Sequence, residues 1–393
     1  MYRNLTLSAF VATAFAGQAQ AQSSVTMYGL IDAVVGIHKT TSGTSGLGGT
    51  GTTAAGAQTT GMDSSVGPGS RFGVRGSEDL DSGLKANFLF EGGFSAANGA
   101  FQQGGLAWGR QAFVGLSSAS GWSVSLGRQY SPLDVSFARS DALGGVYWGN
   151  AVNNSGHGII ESLAAAPGGG AFQSVGRVDN SVLVTYTANA VTAKLLVGSG
   201  NNGDSRGAGR VINPDISYTS GPVQLNASYA WIRQNAEAIL PSVSPKMLTE
   251  WLVGGSYTFG SIRLHAGLFG FNGPKNQNNL SAAAKSSPFA YTWRKTNTAW
   301  LGLVYSPTEA VRLTAQVARV NFDYTAGPNG RSIVVGLVGE YLLSKRTALY
   351  VNYGITRNNK YANAPMIGAV PVVFAAGYGS NASALSFGMR HSF

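Results

Sequence analysis

The chain has no cysteine among its 393 residues, so no disulfide framework holds it together. Charge is scarce as well: Asp, Glu, Lys and Arg make up only 11% of the residues. Beyond the N-terminal leader, no uninterrupted apolar run reaches the roughly 18 residues that a membrane helix needs. No repeat of fixed short period is visible, which counts against a β-solenoid. The four histidines, His38, His157, His265 and His391, are widely scattered and show no metal-ligand spacing, so no metal or other cofactor is called for.

What is present points to an exported β-protein. Arg3, the apolar stretch Leu5 to Gly17 and the small-x-small triplet Ala19-Gln20-Ala21 form a secretory signal over residues 1–21, with the mature chain, 22–393, expected to begin at Gln22. Removing Arg3 lowers the formal net charge of +10 by one. A mean hydropathy of only +0.04 beside so few charges suits strands with one face in lipid and one in water. Fifty-five glycines and 16 tyrosines fit tight turns, close strand packing and interfacial girdles.

Period-2 segments of about ten residues, bounded by turn signals, occur sixteen times. They fall at about 25–36, 69–77, 83–94, 108–117, 121–130, 177–188, 191–200, 210–219, 222–232, 249–259, 261–271, 295–306, 309–321, 331–343, 346–357 and 383–393. The last is the clearest. Leu385, Phe387, Met389, His391 and Phe393 alternate with Ser386, Gly388, Arg390 and Ser392, and the chain stops on an aromatic. Connections alternate between short turns and long loops (37–68, 95–107, 131–176, 201–209, 233–248, 272–294, 322–330 and 358–382), the pattern of an outer-membrane barrel. The expected fold is therefore all-β: one transmembrane 16-stranded antiparallel β-barrel, with both termini on the short-turn, periplasmic side.

Parity then orients the wall. With Phe72 and Val74 toward lipid, Arg71 and Arg75 point inward; with Leu84, Ala86, Phe88 and Phe90 outward, Lys85, Asn87 and Glu91 point inward. The same rule turns Arg177, Asp179 and Ser181 inward from Val182, Val184 and Tyr186, and adds Lys194, Arg263 and Arg312. A cation on the lipid face would cost roughly 2–4 kcal/mol at the midplane, so sequence parity and energy agree. The loop 131–176, about 46 residues long, is of a length that marks a functional or a disordered segment, and composition leaves an inward-folded loop and a solvated extracellular one both open. It carries Asp134, Asp141 and Glu161, whose carboxylates would face the wall arginines if the loop folds inward.

Four segments carry a resemblance: Ser70-Arg-Phe-Gly-Val-Arg-Gly-Ser-Glu-Asp-Leu80, Gly109-Arg-Gln-Ala-Phe-Val-Gly-Leu116, Leu126-Gly-Arg-Gln-Tyr130 and Arg177-Val-Asp-Asn-Ser-Val182. With the opening Val25 to Ala33 and the terminal Phe393, the chain resembles the trimeric Gram-negative general porins, beta-proteobacterial type, from signal to end. The resemblance implies a homotrimer in the outer membrane, a third long loop folded inward, and passive diffusion of small hydrophilic solutes. It further implies recognition of the C-terminal strand by the barrel-assembly machinery. By motif, Arg71, Arg110, Arg128 and Arg177 look like wall arginines, joined by Arg75 from parity. Parity leaves Arg110 ambiguous and puts Arg128 on the side of Val124 and Leu126, so an inward Arg128 requires a local irregularity at Gly127. The loop lacks a Pro-Glu-Phe-Gly-Gly segment, and which of Asp134, Asp141 and Glu161 faces the arginines stays open. Excess wall basics favour anions moderately.

Two motifs are set aside. Gly46-Leu-Gly-Gly-Thr-Gly51 fits G-x-G-x-x-G without a following helix, and Gly203-Asp-Ser-Arg-Gly207 fits G-x-S-x-G without a strand-to-helix turn. An outer-membrane barrel enzyme is the rival from another class, and a substrate-specific porin with a saturable site the nearer one. The basic residues are dispersed over alternating strands, which argues against nucleic-acid binding.

Overall fold

The computed structural model describes residues 24–44, 52–155, 157, 176–200, 210–233, 247–273, 293–324, 328–368, 372–373 and 377–393. Sixteen long strands follow one another around a closed antiparallel barrel. The first five are β1 (Ser24–Thr40), β2 (Arg71–Asp79), β3 (Leu84–Gly93), β4 (Gln111–Ser118) and β5 (Trp122–Tyr130). A helix, α1 (Pro132–Ser140), opens the third long loop. Beyond it come β6 (Arg177–Ala188), β7 (Val191–Ser199), β8 (Arg210–Ser220), β9 (Val223–Arg233), β10 (Met247–Phe259) and β11 (Ile262–Asn272). The wall ends with β12 (Trp293–Tyr305), β13 (Val311–Tyr324), β14 (Gly330–Leu342), β15 (Thr347–Asn358) and β16 (Ala382–Ser392). All sixteen expected strands are present, most with ends shifted by one to three residues. The expected loop 37–68 also contains a short strand, Gln58–Asp63, paired with the upper half of β1.

The barrel closes between β1 and β16, in register from Leu30 opposite Ser392 to Thr40 opposite Ala382. Below that ladder Gly29 and Phe393 exchange both backbone hydrogen bonds at 3.1 Å. The Phe393 ring lies where a Gly29 side chain would stand, since a Cβ there would come 2.3 Å from Phe393 Cζ. The ring uses the space that a side chain at position 29 would take. Gly29→Val is expected to reduce the yield of folded, heat-modifiable barrel severalfold, because the overpacking cost of about 1–3 kcal/mol falls on the strand pair that seals the sheet. A wild-type yield on refolding gels would contradict this.

Alternation sorts the two faces. Large apolar side chains such as Val114, Leu126, Val253, Leu301 and Phe387 are more than half exposed on the outside, where lipid takes the place of a core. Trp122, Tyr186, Tyr218, Tyr257, Tyr305 and Tyr341 cluster at the short-turn ends as an aromatic girdle. Both the start of β1 and Phe393 lie at this same end. Tyr350, the apolar exception in the pattern of β15, faces inward and donates to Asp32 Oδ1 at 2.7 Å.

The core is inside the barrel rather than between sheets. Leu133 and Phe137 of α1 are fully buried against Leu196, Leu252, Phe269 and Trp300 of the wall. Phe137 stacks on Phe269 and Trp300 with ring centroids 4.8 and 5.0 Å apart. Helix α1 begins where Ser131 caps it, accepting from the Asp134 N–H at 3.1 Å, with Pro132 already at a helical φ in the first turn.

Candidate functional site: the constricted channel

The described first half of the third loop lies in the lumen because the inner wall offers it hydrogen bonds from Leu133 to Trp148. Asn213 Oδ1 accepts from the Leu133 N–H at 2.8 Å, Asp215 accepts from Ser136 Oγ at 2.6 Å, and Asn226 donates to Ser140 Oγ at 3.0 Å. Farther round, Gln316 accepts from the Ala142 N–H at 2.8 Å and Asn352 from the Trp148 N–H at 2.7 Å. The Trp148 indole donates to Ser386 Oγ at 3.0 Å. Every one of these wall groups sits at an inward parity position, so the polar face of the strands is the loop's docking track. At its tightest approach the loop lies on bare backbone: Gly149, at φ +87°, meets Gly336, where any Cβ would come 2.4 Å from the Trp148 carbonyl oxygen. The inward-folded third loop expected from the sequence is therefore present.

Between this loop and the opposite wall is a cavity of about 1500 Å³. It reaches from Gly260 and Ser261 at the short-turn end to Gln102–Gly104 of the second long loop. Among the described residues its lining holds seven arginines, Arg71, Arg110, Arg139, Arg177, Arg263, Arg312 and Arg390, against three acids, Asp134, Asp141 and Glu340. That imbalance gives the passage a positive field.

On one wall three arginines gather around Tyr130. Arg177 stacks over its ring at 4.5 Å and donates to its Oη at 2.8 Å, while Arg110 lies 5.8 Å from the ring centroid. Arg71, one strand pair away, makes no hydrogen bond to a described side chain. Arg110 Nε binds Glu91 Oε1 at 2.7 Å, with Tyr28 Oη donating to the other carboxylate oxygen at 2.8 Å. Glu91 is thus an inward residue whose charge is spent on holding Arg110. On the opposite wall Glu340 accepts from Tyr147 Oη at 2.9 Å and pairs with Arg390 at 3.0 Å and Arg312 at 3.4 Å.

The remaining expected residues fall elsewhere. Arg75 faces inward but stands toward the short-turn end, its guanidinium 5.3 Å from the Tyr28 ring, and does not line the cavity. Lys85 pairs with Asp79 at 2.9 Å beside the turn, both half exposed, and is also outside the lining. The irregularity at Gly127 is real, with φ +140° and a register shift against β6. Yet Arg128 stays in register with Ala112, on the outward face of Val114 and Leu126, and binds Asp179 and the Gly109 carbonyl. The shift falls on the β6 side, so it frees Arg128 to reach Asp179 without turning it inward.

Of the loop acids, Asp134 borders the cavity. Asp141 is fully occupied within the loop, accepting from the N–H groups of Leu143 at 2.7 Å, Val152 at 3.2 Å and Ala151. Burial pushes its carboxyl above the ordinary range, against those hydrogen bonds. Glu161 lies outside the described residues. Arg139, Arg390 and Glu340 were missed as site residues. Arg390 and Glu340 sit at inward parity on their strands, Glu340 directly opposite Arg312, so parity could have found both; Arg139 needed the loop's path.

The comparisons agree with this geometry. A family model described as Gram-negative porin matches residues 7–361. An outer membrane porin protein of Bordetella pertussis is 29% identical over 98% of this chain and 99% of its own length. Outer membrane porin protein 32 of Delftia acidovorans is 28% identical with the same coverage. Among solved structures, an anion-selective porin from Comamonas acidovorans superposes with a TM-score of 0.71 at 23% identity, covering 94% of this chain and all of its own. OmpT of Vibrio cholerae follows at 0.63 and 15% identity, covering 96% and 99%. A closed 16-stranded barrel, a loop folded into its lumen and a family match over most of the chain make this protein a member of the Gram-negative porin family, a channel protein of the outer membrane.

Proposed function

We propose that the chain forms a general diffusion channel for small hydrophilic solutes, with a moderate preference for anions. The observation that carries this is the lining, in which seven arginines stand against three acids, with Asp141 consumed inside the loop and Glu340 already paired. Arg71, Arg110 and Arg177 form the basic side of the constriction, and Asp134 is the loop acid that meets the solute stream. Selection is by size and charge in water, with no covalent step.

The channel works as a homotrimer. Strands β2 to β5 are only eight to ten residues long, whereas β6 and β8 to β16 have eleven to fourteen. A low, apolar-sided wall of this kind is suited to cover by neighbouring copies. The mature chain begins at Gln22, and the terminal strand ending on Phe393 is the segment read by the assembly machinery.

The test is the zero-current potential of purified protein in a planar bilayer under a KCl gradient. Stepwise openings in threes with an anion-selective potential are expected. A cation-selective potential would overturn the charge reading, and conductance that saturates with one solute would favour a substrate-specific channel.

A further inference from the structure

His157 has no metal-ligand partner spacing in the sequence, but the folded loop carries it to a defined place. Its ring is 1% exposed, with Nδ1 2.8 Å from Glu250 Oε2 on β10 and Nε2 3.3 Å from Asp134 Oδ1 in the first turn of α1. The rings of Phe137 and Phe269 flank it at 6.1 and 6.2 Å. Glu250 is buried, whereas the Asp134 side chain is 24% exposed and borders the cavity. A neutral imidazole donates from one nitrogen only. Carboxylates on both nitrogens are matched together only when both nitrogens carry protons.

We propose that His157 is a specificity-determining residue of the channel: an imidazolium wedged between a buried wall carboxylate and the pore-facing one, which offsets the charge of Asp134 and so preserves the preference for anions. This rests on the anion-preferring reading above and deepens it. With the imidazolium in place the His157–Asp134–Glu250 trio carries one net negative charge. Loss of the second ring proton leaves two, one of them at the edge of the solute stream. The other inward charged or titratable groups on α1 and the strands packed against it are Arg139 on α1, Lys194 on β7, Asp215 on β8, and Arg263 and His265 on β11; of these Arg139, Arg263 and His265 line the same cavity. The anion preference should therefore decline as the solution is made alkaline.

The experiment compares zero-current potentials of the full-length wild type, His157→Gln, Asp134→Asn and the double variant under a KCl gradient, at neutral and alkaline pH. His157→Gln should lower the anion-to-cation permeability ratio about twofold, the order expected for one uncompensated charge across several ångströms of water. Asp134→Asn should match or exceed the wild type, and the double variant should behave as Asp134→Asn. An open His157→Gln channel with wild-type selectivity would overturn the proposal. So would a His157→Gln deficit that persists in the Asp134→Asn background, which would mark a purely structural role. If His157→Gln does not fold, the wild type and Asp134→Asn still decide: an alkaline decline in the first and not the second supports the proposal, and the same decline in both sinks it. A wild type that is closed or prefers cations would instead refute the reading beneath it.

Discussion

Arg110→Ala is expected to cost the barrel about 3–5 kcal/mol, the usual consequence of deleting one partner of a buried ion pair. Both side chains are under a tenth exposed, at 9% for Arg110 and 7% for Glu91, so little solvent screening reduces the figure. The variant leaves the Glu91 carboxylate with Tyr28 Oη as its remaining donor among the described side chains, inside a wall that had offset its charge. The formal charge of the wall falls by one unit, so selectivity should move toward cations by about the step that losing any one wall arginine gives. Arg71→Ala is the matched comparison: it removes a cation from the same wall without orphaning a described carboxylate. It should shift the zero-current potential with little change in stability. Adding Glu91→Gln to Arg110→Ala should recover much of the lost stability, since a neutral amide no longer needs the guanidinium. Denaturant unfolding in detergent and bilayer potentials check the three variants together. Equal stability of Arg71→Ala and Arg110→Ala would show that the Glu91 pair contributes nothing.

The second large effect is expected at Phe137. This side chain is fully buried and stacked between Phe269 and Trp300, making it the main apolar anchor of α1 inside the lumen. Phe137→Ala should destabilise by about 3–5 kcal/mol through lost burial and the cavity left behind. The polar anchors at Asn213, Asp215 and Asn226 remain, so the helix is expected to loosen rather than leave the lumen. Single-channel records should then show frequent transitions between conductance levels, where the wild type is steady. A quiet trace at wild-type stability would mean the hydrogen-bonded track alone holds the loop.

Much of this architecture is local and was therefore readable. Each strand must put apolar residues toward lipid and polar ones toward water, so a period of two marks strands, faces and turns without any knowledge of neighbours. The helix at 132–140 was not foreseen within its loop, although Ser131 and Pro132 are an N-terminal signature followed by Leu133, Ser136, Phe137 and Ser140 on one face. The placement of Arg128 shows the limit of motif reasoning. Parity put it outward and a family motif put it inward; the sheet register sided with parity.

The sequence by itself determined the barrel, its sixteen strands, the end on which both termini lie and the inward direction of Arg71, Arg75, Glu91, Arg263 and Arg312. Lipid and water impose these residue by residue along the strand. Only the tertiary structure decided which charges survive in the channel. Glu91 meets Arg110 19 residues away, Asp141 spends itself on its own loop, Glu340 meets Arg390 50 residues away, and Glu250 meets His157 93 residues away. Such pairings exist only after strands have paired or the loop has settled on the inner wall, and no period along the chain encodes a partner brought in from another strand or from a loop.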